Sequence, residues 1–263
     1  MFFNVSGERK SDKSPNQEDY LMHMHNHYEI FCFLEGNANY IVEGMVYHLS
    51  PGDFVLMRRG ESHHICFLSD CEYKRMTVHF SPTNEVNQFY ENIMKPFNDR
   101  PLGIFNHYPA ASFSNQYLLH CIEQICRTDD LNIRSSYLIV LLNELSSQFR
   151  EVKQRKTTSK TNLYATIIQY INDHLTESLS LEQISEYFFI SKSQLNRNFK
   201  SIIGSTVWEY ITKKRLILAR KQIEEGLSPS QAYISCGFND YTAFYRAYRK
   251  RFGFPPSKTK TIL

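Results

Sequence analysis

Apolar and polar residues alternate in short runs over the first third of the chain. They recur at helical spacing over the rest. Between residues 21 and 80 the runs "HYEIFCFLEG", "NANYIVEG", "MVYHLSPGDFVLM" and "HHICFL" are separated by Gly36, Gly44, Pro51–Gly52 and Gly60. Short strands with turn signals every eight to twelve residues predict an antiparallel sandwich or barrel. The polar stretch before it, residues 1–20, reads as an N-terminal arm. After Pro82 the period changes. "TNEVNQFYENIMK", "SFSNQYLLHCIEQICR" and "IRSSYLIVLLNELSSQFREV" predict helices over 83–152. Leu138, Leu141, Leu142, Leu145 and Phe149 fall on one face of the last. "KQRKTTSKTN", 153–162, has no apolar anchor and reads as an interdomain linker.

From 163 onward the stops and starts predict helices near 163–177, 180–188, 191–203, 206–225, 228–236 and 240–252. Ser180, Ser191 and Thr206 each stand three residues before Gln or Glu, the capping-box spacing. Ser228 is followed by Pro229, and Gly204, Gly226, Gly237 and Gly253 stand where helices should end. Two helix–turn–helix units result, 180–203 and 228–252, joined by a rod of roughly 30 Å. Major-groove faces of B-DNA recur at about 34 Å, so two such readers can enter successive turns.

Charge sharpens this picture. The net charge of +3 is divided unevenly, with 15 Lys/Arg against 8 Asp/Glu over 160–263 and 15 against 19 before it. A basic helical half joined to an acidic β half suits a nucleic-acid reader attached to another module. Leu195, Phe199 and Ile202 share one side of 191–203, with Ser193, Asn196, Arg197 and Lys200 on another. Phe244, Tyr248 and Phe252 should pack inward, leaving Tyr241, Thr242, Tyr245, Arg246 and Arg249 outside. Arg and Asn can bond two atoms of a base edge, whereas Lys192, Lys200 and Arg249 suit phosphates. Six scattered cysteines without a CxxC, an early turn to polar residues, and no apolar run long enough to span a bilayer predict a reduced, cytoplasmic protein without a membrane.

Residues 163–260 resemble the DNA-binding domain of the AraC/XylS family of bacterial transcription regulators. The matching residues are Phe199, Lys200 and Gly204, then Tyr210, Arg215, Ala219 and Ile223. Gly237, Phe238, Asp240, Phe244, Arg246, Phe252, Gly253 and Pro256 complete the match. The resemblance implies base contacts from Ser193, Asn196 and Arg197 in the first unit, and from Tyr241, Thr242, Tyr245 and Arg246 in the second. The chain departs from the family at Ala232–Tyr233, where Ile-Ala is usual, and at Ser185, where Ala is usual. The Tyr233 ring puts the docking angle of the second reader in question.

The β half resembles the cupin barrel. In "HMHNHYEI", His25 and His27 fit the His-x-His motif and His63 the later His, while Glu29 is displaced from the acidic position. The reading preferred over a His25–His27–His63 metal centre is a metal-free pocket with no cofactor. It is lined by His25, His27, Glu29, Tyr40, Arg58 and His63 and suits a small effector, a carbohydrate above all. The family resemblance implies a homodimer, with Leu138, Leu141, Leu145 and Phe149 as the seam. It also implies partnership with double-stranded promoter DNA and RNA polymerase. The expected fold is α+β: a cupin-like antiparallel barrel over 21–82 with flanking helices, then an all-α tandem helix–turn–helix domain over 163–263. The expected function is an effector-responsive activator and not an enzyme. A ligand-independent activator, and a metal-binding cupin enzyme fused to a DNA-binding domain, are the alternatives.

Overall fold

A computed structural model describes residues 3–83, 88–113, 117–154 and 163–259. The chain divides into two compact units, Met1–Lys160 and Thr161–Leu263. The predicted linker runs from the last turn of a helix ending at Gln154 into residues 155–162, which lie outside the described residues.

Among the described residues the first unit holds eight strands and three α-helices. They are β1 (Phe3–Asp12), β2 (Tyr28–Glu35), β3 (Ala38–Val42), β4 (Met45–His48), β5 (Phe54–Met57), β6 (His63–Phe67), β7 (Tyr73–Pro82), α1 (Gln88–Asn98), β8 (His107–Tyr108), α2 (Tyr117–Arg127) and α3 (Leu131–Gln154). All pairings are antiparallel, in a five-stranded sheet of order β1-β7-β2-β5-β8 and a three-stranded sheet of order β4-β3-β6.

The large sheet is covered on both faces. That is why β2 and β5 read as near-continuous apolar runs. One set of alternating residues, including Ile30, Cys32, Phe54, Leu56, Val78 and Phe80, packs with residues of the helices. The other set, including Phe31, Phe33, Val55 and Met57, packs against Tyr40, Val42 and Ile65 of the small sheet.

Two sequence expectations change here. Residues 3–12 are not an arm: they form β1, paired residue for residue with β7 from Phe3–Pro82 to Asp12–Tyr73. The barrel therefore begins before residue 21, and β8 extends it past 82. Only Phe3 and Val5 of β1 are buried, because the strand lies at the sheet edge. Gly7 is required where β1 meets α2, since a Cβ there would lie 2.9 Å from Ile125 Cγ2.

The proposed dimer seam is the second change. Leu138, Leu141 and Leu145 are fully buried and Phe149 nearly so, all within the core that α3 shares with α1, α2 and the large sheet. A stripe at helical spacing marks a buried face, and here the covering partner is the same chain.

The second unit is helical: α4 (Leu163–Asp173), α5 (Leu181–Tyr187), α6 (Lys192–Ile203), α7 (Val207–Glu224), α8 (Pro229–Ser235) and α9 (Tyr241–Phe252), with a short 3-10 turn at Pro256–Lys258. Ser180, Thr206 and Ser228 close reciprocal capping boxes, whereas Ser191 makes only the forward bond, to Gln194 N. Gly204 and Gly253 end α6 and α9 in the left-handed conformation. In α6 the buried set is Leu195, Phe199 and Ile203, with Ile202 only half-buried.

Candidate functional site

The DNA-facing candidates sit on α6 and α9, the second helices of two helix–turn–helix units. Ser193, Arg197, Lys200, Tyr241, Thr242, Arg246 and Arg249 are exposed, and Tyr245 is half-buried. The guanidinium groups of Arg197, Arg246 and Arg249 make no ion pair among the described residues and so are available to an anionic partner. Two candidates are engaged within the protein. Asn196 Oδ1 accepts a long bond from Val207 N at the start of α7, 3.4 Å. Lys192 is paired with Glu182 of α5, so its ammonium is not a free phosphate contact.

Arg215 of α7 ties this unit together. Its Nε donates to Leu175 O at 2.8 Å, Nη2 to Glu177 O at 2.6 Å and Nη1 to Gly237 O at 2.6 Å. One side chain thus clamps the turn before the first helix–turn–helix and the turn inside the second. Gly237 sits against it at φ +81°, where a Cβ would meet Thr176 O at 2.8 Å and Arg215 Cζ at 3.0 Å.

The two departures from the family pattern are absorbed locally. Ser185 is buried with its hydroxyl donated to Glu182 O at 2.9 Å. The Tyr233 ring is half-buried and meets Tyr241 edge-on at 5.3 Å.

In the first unit a cavity of about 230 Å³ lies between the sheets. Glu8 and Lys10 of β1, Glu29 and Phe31 of β2, Tyr40 of β3 and Tyr73, Arg75, Thr77 and His79 of β7 line it, with Tyr20, His23 and Ile65. Arg75 is held among aromatic rings, 5.4 Å from the Tyr20 centroid and 5.5 Å from that of Tyr73. Of the predicted pocket residues, Glu29 and Tyr40 line this cavity.

Arg58 does not. It follows β5 on a turn, where its Nη1 donates to Arg100 O at 3.1 Å and its Nε lies 3.8 Å from Glu61. The guanidinium in the cavity wall is that of Arg75, missed because a single Arg on a mixed strand gives no sequence signal. His27 instead borders a shallow groove with Asn4, Ser6, Leu131 and His79.

Next to the cavity, histidines converge on Glu29. Residues 21–27 form no continuous strand. His23 alone pairs, exchanging backbone bonds with His63 at 3.0 and 2.9 Å. Glu29 Oε2 lies 2.7 Å from His25 Nε2, 3.1 Å from His79 Nε2 and 3.4 Å from His63 Nε2. Burial alone would raise the Glu29 carboxyl, but the surrounding imidazoles hold it well below its usual range. Burial pushes His27, stacked on His25 with centroids 3.7 Å apart, down to about 3.

The turn leading into His63 is fixed by a buried pair. Arg100 Nη1 and Nη2 meet Glu61 Oε1 and Oε2 at 2.6 and 2.7 Å, and Glu61 O accepts from His63 Nδ1 at 2.8 Å. Against the upward push of burial, Arg100 brings the Glu61 carboxyl down to about 2.

A unit with an internal cavity, joined to a unit with two helix–turn–helix motifs, is the architecture of a transcription regulator with a ligand-binding domain. Comparison with known proteins agrees. The model of the AraC-like ligand binding domain matches residues 7–128, and a helix-turn-helix domain model matches 184–261. The chain belongs to the AraC family of transcriptional regulators.

The chain is 24% identical over 238 residues to the "probable transcriptional regulator LumQ" of Photobacterium leiognathi, covering 90% of each chain. It is 25% identical over 258 residues to the "HTH-type transcriptional activator RhaS" of Escherichia fergusonii, covering 90% of this chain and 86% of that one. The solved structure of ToxT from Vibrio cholerae matches at 14% identity and a TM-score of 0.43, over 98% of this chain and 97% of that chain. Among the described residues no helix is long and apolar enough to cross a membrane.

Proposed function

We propose that this protein is a transcription activator. In this reading α6 and α9 read promoter DNA, and the cavity between the sheets binds a small hydroxyl-rich effector, most simply a sugar. The observation that carries the DNA half is the pair of exposed, basic reading helices clamped by Arg215. The effector reading is supported by the cavity walls, where tyrosines supply apolar faces and Glu29 and Arg75 supply fixed polar groups. At about 230 Å³ the cavity is smaller than the roughly 300–1,000 Å³ typical of ligand pockets, which suits a molecule of monosaccharide size. The activator reading is supported by the similarity to the transcriptional activator RhaS.

Two measurements test this. In a DNA-binding titration, Arg197→Ala and Arg246→Ala should each cost about 1–3 kcal/mol on the specific site and relax discrimination at one base position. Lys200→Ala should weaken all sequences alike and lower the salt slope by about one. Equal losses on specific and random DNA for Arg197→Ala would remove it from the base-reading set.

In a thermal-shift panel of sugars and sugar phosphates, the effector should stabilise the full chain by about 2.7 kcal/mol at a hundred times its Kd. Arg75→Ala should abolish that gain. A flat response across the panel would leave an activator that works without a ligand.

A further inference from the structure

The charges that line the cavity are matched, with one exception. Lys10 Nζ meets Glu8 Oε1 at 3.0 Å, where both side chains are exposed. Glu29 Oε2 accepts from His25 Nε2 at 2.7 Å and from His79 Nε2 at 3.1 Å. Arg75 is different. Its guanidinium is half-buried, lies over the Tyr20 and Tyr73 rings, and makes one long hydrogen bond, from Nη1 to the Tyr73 hydroxyl at 3.4 Å. The arginines paired with carboxylates among the described residues are Arg9, Arg58, Arg100, Arg134 and Arg220, and Arg75 is not one of them. An arginine stays charged, and a charge drawn away from water ordinarily meets a counter-charge.

Three more polar groups of the wall are unengaged. Tyr40 and Thr77 are 3% and 6% exposed, and neither hydroxyl makes a hydrogen bond among the described residues. Glu29 is 4% exposed, and its Oε1 accepts none there. Buried groups of this kind cost free energy until something bonds them. Their placement follows from the strand register. Arg75, Thr77 and His79 alternate along one face of β7, and His79 stands opposite Glu29 of β2. At about 3.3 Å per residue, the positions of Arg75 and His79 are roughly 13 Å apart along the strand. Tyr40 packs at 4.4 Å on Phe31, the residue opposite Thr77. The wall thus carries a cation toward one end, an acceptor toward the other, and two hydroxyls between.

Resting on the effector reading above, we propose that the effector is an anionic sugar derivative, its carboxylate or phosphate oxygens held by the fork of Arg75. A planar guanidinium presents two parallel N–H donors to such a group and supplies the opposite charge. Hydroxyls of the same molecule donate to Glu29 Oε1 and exchange hydrogen bonds with Tyr40 and Thr77. The Tyr20 and Tyr73 rings keep water from the ion pair, which strengthens it. A neutral sugar leaves the Arg75 charge uncompensated. An acid without hydroxyls leaves Glu29, Tyr40 and Thr77 unpaired.

The test titrates the full chain with matched compounds: D-glucose and D-galactose, their uronates, and their 6-phosphates. At least one anionic member should bind at least about tenfold tighter than its neutral parent, and added salt should shrink that advantage. Uronate against phosphate decides which oxyanion the site takes. Arg75→Gln should erase the advantage. Arg75→Lys keeps the charge without the fork, so it should retain part of it, and it covers the case in which the Gln variant does not fold. Equal affinity for anion and parent in the wild-type chain would overturn the proposal and leave the effector reading standing. So would an anionic preference that both variants keep in full. Silence from every compound, neutral and anionic, would sink both.

Discussion

Leu145→Asp should prevent the first unit from folding. The side chain is fully buried in the core that α3 shares with α1, α2 and the large sheet. Truncating such a leucine costs about 2–5 kcal/mol. An unpaired carboxylate in its place adds several more. The sum is comparable with the whole stability of a domain, about 5–15 kcal/mol. Leu145→Met keeps the volume and should cost less than about 1.5 kcal/mol.

The readout is amide exchange resolved by peptide. For Leu145→Asp, protection should vanish from β1, β7 and α3 and persist in α7. A folded but monomeric Leu145→Asp would restore the stripe as an interface. With the stripe in the core, a second copy would have to meet α3 on its outer side, where Leu131, Ile133 and Val140 are exposed.

Arg100→Met should destabilise the same unit by about 3–5 kcal/mol. It leaves the wholly buried Glu61 carboxylate with only the more distant guanidinium of Arg58, 3.8 Å away. It also removes donors from Pro96 O, Leu56 O and Asn106 Oδ1. The cost is mostly a buried charge left poorly compensated and not a lost attraction. Arg100→Met combined with Glu61→Leu should therefore recover a good part of it. Urea unfolding followed by far-ultraviolet circular dichroism gives both values. A double variant as unstable as the sum of the singles would show that the pair's geometry, and not its charge balance, supports the loop.

The C-terminal unit was legible because its boundaries are chemical. Ser180, Thr206, Ser228 and Asp240 mark helix starts with side chains that bond the next turn, and these signals need no distant partner. The N-terminal unit was less so, for three reasons. β1 is mostly polar because its outer half lies at the edge and along the cavity, so it carries no apolar alternation.

The Leu138–Phe149 face declares burial but cannot say what buries it. The histidines declare a cluster, but the His-x-His resemblance singled out His25 and His27 and passed over His23 and His79. The chain instead enters as an irregular segment whose only pairing is His23 with His63, and it recruits His79 from a strand fifty residues from Glu29. Convergence across such distances is a property of topology, which local pattern does not encode.

The Arg215 clamp has a consequence on the side of the DNA. Because one guanidinium holds the turns of both units, the two reading helices act as a single caliper and not as beads on a string. B-DNA turns once in about 10–10.5 base pairs, so one inserted pair rotates the second contact by roughly 35° around the axis. If α6 and α9 read DNA as proposed, an operator should tolerate substitutions between its two contact blocks far better than insertions.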